Sequence, residues 1–123
     1  MGKTLSEARI VLPSAARIAT VNVAVLASGF KGLVLVTDLT AFVTAASVTP
    51  KIRGVDPVSG KKWDILLGAA IVANGTQILK VYAGMTAAAN LVASDVIPAN
   101  IEIEITHGNA NSHTYSVGIH LIV

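Results

Sequence analysis

The sequence predicts an all-β protein, an antiparallel β-sandwich of jelly-roll or immunoglobulin-like type, preceded by an N-terminal arm. Three observations carry this. Near the C-terminus apolar and polar residues alternate at period two, Ile101, Ile103 and Ile105 interleaving with Glu102, Glu104 and Thr106. Turn signals recur along the chain, the clearest being Asp56-Pro57-Val58-Ser59-Gly60. The apolar runs between turns are rich in β-branched residues. Short strands separated by such turns are the pattern of a sandwich or small barrel.

Residues 1–17 stand outside this rhythm as an arm, and residues 18–123 form the sandwich domain. The stretch 4–9 has the composition of a short helical turn, which Pro13 limits. With Leu5, Ile10, Val11, Leu12 and Pro13 the segment reads either as a frayed end or as an arm docking on a neighbouring subunit, and these five are candidate interface residues. Residues 18–26 read as a strand and 28–32 as a turn. Leu33-Val34-Leu35-Val36 is apolar on both faces, as in a strand covered on both sides. Leu33 and Leu35 join the candidate interface if that strand lies at an edge.

Residues 48–55 form the next predicted strand, where Pro50 points to an edge or a bulge. The turn at 56–60 joins it to 61–67 as a hairpin, with the single Trp63 anchoring the core or an interface. Asn74-Gly75 precedes a strand over 76–82. Residues 84–95 read as a loop with a short helix around Ala87-Ala88-Ala89. The last two strands are expected to pair as a hairpin, His107 opposite His113. That register sets Ile105 against Tyr115, Ile103 against Val117 and Ile101 against Ile119.

Composition narrows the function classes. The 123 residues suffice for one domain. Apolar residues make up 53% and charged residues 13%, about half the usual charged share. So few charges leave apolar surface exposed on a lone monomer, and such surface marks interfaces. The net charge is +2 and the basic residues are scattered, except that Lys51, Arg53, Lys61 and Lys62 gather across one hairpin. A nucleic-acid partner is not expected from this spread. No apolar run reaches the roughly 18 residues of a membrane helix, so no membrane partner is expected. The first residues do not read as a secretory leader. With no cysteine, thiolate chemistry and disulfides are excluded.

Catalytic patterns are missing. Glu102 and Glu104 share one strand face, which reads as the solvent side rather than an acid–base pair. His107 and His113 lie near each other in the expected hairpin, but no third ligand is nearby in sequence. There is no Gly-x-Ser-x-Gly elbow, phosphate loop or His-Glu-x-x-His. No catalytic residue, cofactor or metal ligand is therefore expected, and the chain does not read as an enzyme.

From about residue 33 the chain resembles a family of small tailed-phage and prophage virion structural proteins. The matching residues are the stretch 48–63 with its Gly54-Val55-Asp56-Pro57-Val58-Ser59-Gly60-Lys61 turn, Gly75-Thr76 with Leu79-Lys80-Val81-Tyr82, then 86–90 and 93–98. Ile105-Thr106-His107 and Thr114-Tyr115-Ser116-Val117-Gly118 complete them. Ala83-Gly84 departs from the family's Pro-Gly, and the N-terminal third matches poorly. The resemblance implies a particle component: a capsid decoration (cement) protein on the capsid surface, made in the bacterial host cytoplasm. Its implied partners are the major capsid protein or other virion proteins, with self-association favoured as a trimer. A head–tail or tail accessory protein and a carbohydrate- or receptor-binding module are the alternatives.

Overall fold

The computed structural model describes residues 6–43 and 46–123. Nine strands form two sheets: β1 (Ser6–Arg17), β2 (Val21–Leu26), β3 (Gly32–Ala41), β4 (Val48–Val55), β5 (Lys62–Leu67), β6 (Gly75–Val81), β7 (Val92–Ala93), β8 (Asn100–His107) and β9 (His113–Ile122). The five-stranded sheet has the order β1-β9-β3-β6-β7 and the four-stranded sheet β2-β8-β4-β5. All pairings are antiparallel except that of β7 with β6.

Leaving the short β7 aside, the antiparallel pairs are nested. β4 pairs with β5, β3 with β6, β2 with β8 and β1 with β9. A long hairpin rolled in this way is a jelly roll, which of the two expected sandwich types is the one present. The turn at Asp56–Gly60 is the tip of the roll. There Asp56 accepts from both the backbone N–H and the hydroxyl of Ser59 (2.9 and 2.6 Å), which holds its carboxyl below the usual carboxylate range. Gly60 closes the turn at φ 74°, a left-handed conformation costly for other residues.

The core lies between the inner faces. Ile101, Ile103 and Ile105 from β8 are buried in one cluster with Tyr115, Val117, Ile119 and Leu121 from β9, and with Leu33, Leu35 and Leu39 from β3. The expected β8–β9 hairpin is therefore not formed. The two strands belong to opposite sheets, and β8 pairs with β2 and β4 instead. Their apolar faces do coincide, but across the sandwich rather than along a ladder.

Other expectations also shift. Over Ser6–Arg17 the predicted arm is a strand on the edge of the five-stranded sheet, paired with β9. Bulges between Ile10 and Leu12 and between Leu12 and Ala15 break its alternation, and an edge position tolerates Pro13. Pro50 sits in a strand flanked on both sides, not at an edge. Its carbonyl accepts from Gly68 N–H (2.8 Å), so its missing donor faces the β5 side, before the β5 ladder begins at Lys51. Residues 84–95 form turns and the two-residue β7, with no helix among the described residues. Asn90 at φ 63° interrupts any helical run there.

Trp63 is half-exposed, and its indole lies close over Gly54, its partner across the β4–β5 ladder. A Cβ on Gly54 would come within 2.2 Å of the indole. Gly54→Ala should thus displace the ring, red-shift the fluorescence of this single tryptophan and lower stability by about 1–3 kcal/mol. Unchanged emission would show that the indole does not rest on Gly54 in solution.

Candidate interaction surface

The two outer faces of the sandwich differ in chemistry. The register of the four-stranded sheet gathers Lys51, Arg53, Lys62, Asp64, Glu102 and Glu104 on its outer face. Arg53 bonds Asp64 (2.9 Å) and Glu104 (3.1 Å), Lys51 lies 3.5 Å from Glu104, and Lys62 lies 2.6 Å from Glu102. Thr106 donates to Glu104, and with Arg53 and Lys51 it holds that carboxyl below its ordinary range against the opposing effect of burial. Glu102 and Glu104 are therefore not a free solvent face: Glu102 is buried beneath the lysine side chain that pairs with it. Of the basic cluster seen in the sequence, Lys51, Arg53 and Lys62 are each matched by a carboxylate.

The outer face of the five-stranded sheet is built differently. Strand pairing places Ile10, Gly118, Val36 and Ile78 in one row across β1, β9, β3 and β6. The neighbouring row is Ala8, His120, Val34, Lys80 and Val92. Ile10 is 79% exposed and Ile78 47%, while Val34 and Val36 are half-buried. Among the described residues in these strands, Asp38 and Lys80 carry the charge on this face, and Asp38 is bonded to Thr76 (3.1 Å). The result is a surface mainly of aliphatic and small side chains, with His120 and Lys80 among them, that no other sheet of the described residues covers.

The expected interface residues divide between this surface and the core. Ile10 lies on it, and Pro13 is exposed on the same edge strand. Val11 is buried and Leu12 packs against the core. Leu33 and Leu35 are 1% and 0% exposed in a strand flanked on both sides, so they offer no contact surface. Leu5 falls outside the described residues. The outward residues of the same run are Val34 and Val36, and Ile78 shares their face. Their signal was the apolar run itself: in a two-layer fold its second face has no partner layer.

A polar cluster closes one end of the sandwich. His113 is fully buried, stacked on Phe42 (4.7 Å between centroids) and 5.6 Å from the ring of His107. Val43 N–H donates to His113 Nδ1 (3.2 Å), so in the neutral ring the proton sits on Nε2. His107 Nε2 bonds the Tyr115 hydroxyl (2.8 Å), and the Arg17 guanidinium lies 4.9 Å over the Tyr115 ring. A metal on His113 Nε2 would have to displace that proton while Nδ1 kept accepting, which a neutral imidazole cannot provide. Among the described residues no group of three or more His, Cys, Asp or Glu is gathered as a metal site. The cluster reads as an end plug tying β1, β8, β9 and the segment after β3 together.

No protein-family model matches the chain, and no curated protein matches it. Among solved structures, the fold is similar to chains in the structures of infectious bursal disease virus Gx strain (TM-score 0.52, 10% identity) and Gt strain (TM-score 0.51, 9% identity). The similarity covers 96% and 95% of this chain but 32% and 33% of theirs, so the chain spans about a third of the length of these neighbours. At such identities the likeness establishes the shared β-sandwich.

The end plug sets a pH window for stability. Burial, then His113 and Arg17, hold the His107 pKa below its ordinary 6.5. The unfolded chain thus takes up a proton that the folded chain resists, and stability is lost as the pH falls below about 6.5. Burial pushes Tyr115 up to about 12 from 10.0, so on the alkaline side stability is lost as the pH rises past 10. Urea unfolding across this range should show a plateau between the two limits. His107→Gln should flatten the acid slope; an unaltered slope would remove His107 as its source.

Proposed function

We propose that this chain is a virion structural protein, specifically a capsid decoration (cement) protein of a tailed phage that stabilises the head through contacts with the major capsid protein. The observation that carries this reading is the uncovered aliphatic face centred on Ile10, Val36 and Ile78, opposite a face whose charges are already paired. Apolar surface of this kind gains roughly 25 cal/mol per Å² when removed from water. A specific interface needs roughly 800 Å² from each partner, a scale suited to a broad sheet face rather than a cleft. Many copies, each spanning a joint between capsid subunits, would have to be peeled away before a DNA-filled head could come apart.

The fold supports the class without fixing the role. Jelly rolls recur in viral capsid domains, and both structural neighbours come from virus structures. A fold alone does not assign function, so the weight rests on the surface chemistry.

The test is co-sedimentation of the purified protein with empty, expanded phage heads, with stoichiometry read from the pellet. Saturable binding at many copies per head is expected. Ile78→Asp places a charge on an exposed position of the aliphatic face and should weaken binding about tenfold or more, while the urea unfolding transition falls by no more than about 1 kcal/mol, the span of strand propensity. Binding at only a few copies would move the protein to the neck or tail. No binding to heads would sink the decoration role.

A further inference from the structure

The sandwich has several strand edges, and most are occupied or interrupted. On β2 the Leu26 carbonyl accepts from the Arg9 guanidinium (2.6 Å), and on β5 the Leu67 carbonyl accepts from the Asn90 side-chain amide (3.0 Å). The far edge of the five-stranded sheet ends in the two-residue β7. On β1 the second half is irregular, and the Arg17 guanidinium caps the carbonyls of Pro13 (2.6 Å) and Ala15 (3.2 Å). The first half of β1 differs. From Ser6 opposite Ile122 to Ile10 opposite Gly118 its pairing runs without a shift.

The direction of its backbone groups follows from β9. Lys31 N–H donates to the Ile122 carbonyl (2.7 Å), so Ile122, His120 and Gly118 turn their backbone groups toward β3. Leu121 and Ile119 then face β1, where their partners are Glu7 and Arg9. Ser6, Ala8 and Ile10 are left with N–H and C=O directed outward from the open edge. A free edge of this kind is a template for another strand.

We propose that this edge pairs with the same edge of a second copy, Ala8 lying against Ala8 of the partner subunit, so that two five-stranded sheets join across a twofold axis. Charge selects this register. Glu7 and Arg9 flank Ala8 on one strand face and already form an ion pair within the strand. An antiparallel pair centred on Ala8 sets Glu7 against the partner's Arg9 and Arg9 against the partner's Glu7. Centring on Glu7 or on Arg9 would instead oppose like charges, which destabilises a cross-strand pair. The same register lets Ala8 exchange hydrogen bonds with its own copy, and Ser6 with the partner's Ile10. Outward-facing Ile10, 79% exposed in the single chain, then lies where the aliphatic faces of two copies become continuous. Self-pairing of one edge is isologous and closes at two copies, in place of the trimer that the family resemblance implies. This pairing does not rest on the virion reading and is tested on the isolated protein.

Sedimentation equilibrium of the purified chain should give a species of twice the 12.6 kDa chain mass. Ala8→Pro removes only the outward N–H and leaves the β9 ladder its donors, and it should raise the dissociation constant by about tenfold or more with the β-sheet circular dichroism retained. Glu7→Arg alone and Arg9→Glu alone should each dissociate, whereas their equimolar mixture restores opposite charges across the axis and should dimerise. A wild-type chain that stays monomeric at the highest concentration it tolerates would overturn the proposal. So would single-charge variants that dimerise as well alone as when mixed.

Discussion

A two-layer sandwich can cover one face of each sheet, and this limit governs the rest of the molecule. On the inner side the consequence is a core in which β8 and β9 contribute uninterrupted sets of alternate residues, all within 1% of full burial. Protein interiors are packed as densely as organic crystals, so these residues leave little room for polar neighbours. His113 and Tyr115 sit at the end of the sandwich, where Val43 N–H donates to His113 Nδ1 and His107 bonds the Tyr115 hydroxyl, while the buried His113 Nε2 has no hydrogen-bond partner among the described residues. On the outer side the same limit decides what each strand must show to its surroundings.

The sheet-forming segments could be read from the sequence because strand periodicity reports which residues share a face. It does not report which strand lies alongside. Ile101, Ile103 and Ile105 and their counterparts Tyr115, Val117 and Ile119 satisfy a hairpin register and a cross-sandwich arrangement equally well. The loop 108–112 permits either. What the local pattern did specify was the β4–β5 hairpin, where Asp56, Pro57, Ser59 and Gly60 each supply a distinct part of one turn. That turn is the tip of the roll, and the nested pairs outside it depend on contacts distant in sequence. β1 was hidden for another reason: its two bulges erase period two, and Pro13 argues against any strand except at an edge.

The candidate surface was half legible. The doubly apolar run 33–36 was visible as unusual, but coverage on both sides requires a third layer, and the number of layers is not written in any one segment. Once β3 is placed inside a two-layer fold, Leu33 and Leu35 go inward and Val34 and Val36 outward. The segregation of charge was less legible still. Lys51, Arg53, Lys62, Asp64, Glu102 and Glu104 come from three strands, and only the register of β4 with β5 and β8 shows that they share one face.

This segregation gives the molecule a direction. A partner docking on the charged face would have to strip water from ions that already satisfy one another, a step whose desolvation cost can exceed the attraction gained. A partner docking on the row of Ile10, Val36 and Ile78 removes aliphatic surface from water, which is favourable without any matching of charge. With a net charge of only +2, solubility of an assembly then depends on the ion-paired face remaining outward. On the proposed reading, the outer face of the five-stranded sheet is the side that would meet a neighbour, and the four-stranded sheet the side that would stay in water. Edge pairing through Ser6–Ile10 is compatible with both assignments, because it extends the aliphatic face sideways and leaves each sandwich with the same side toward solvent.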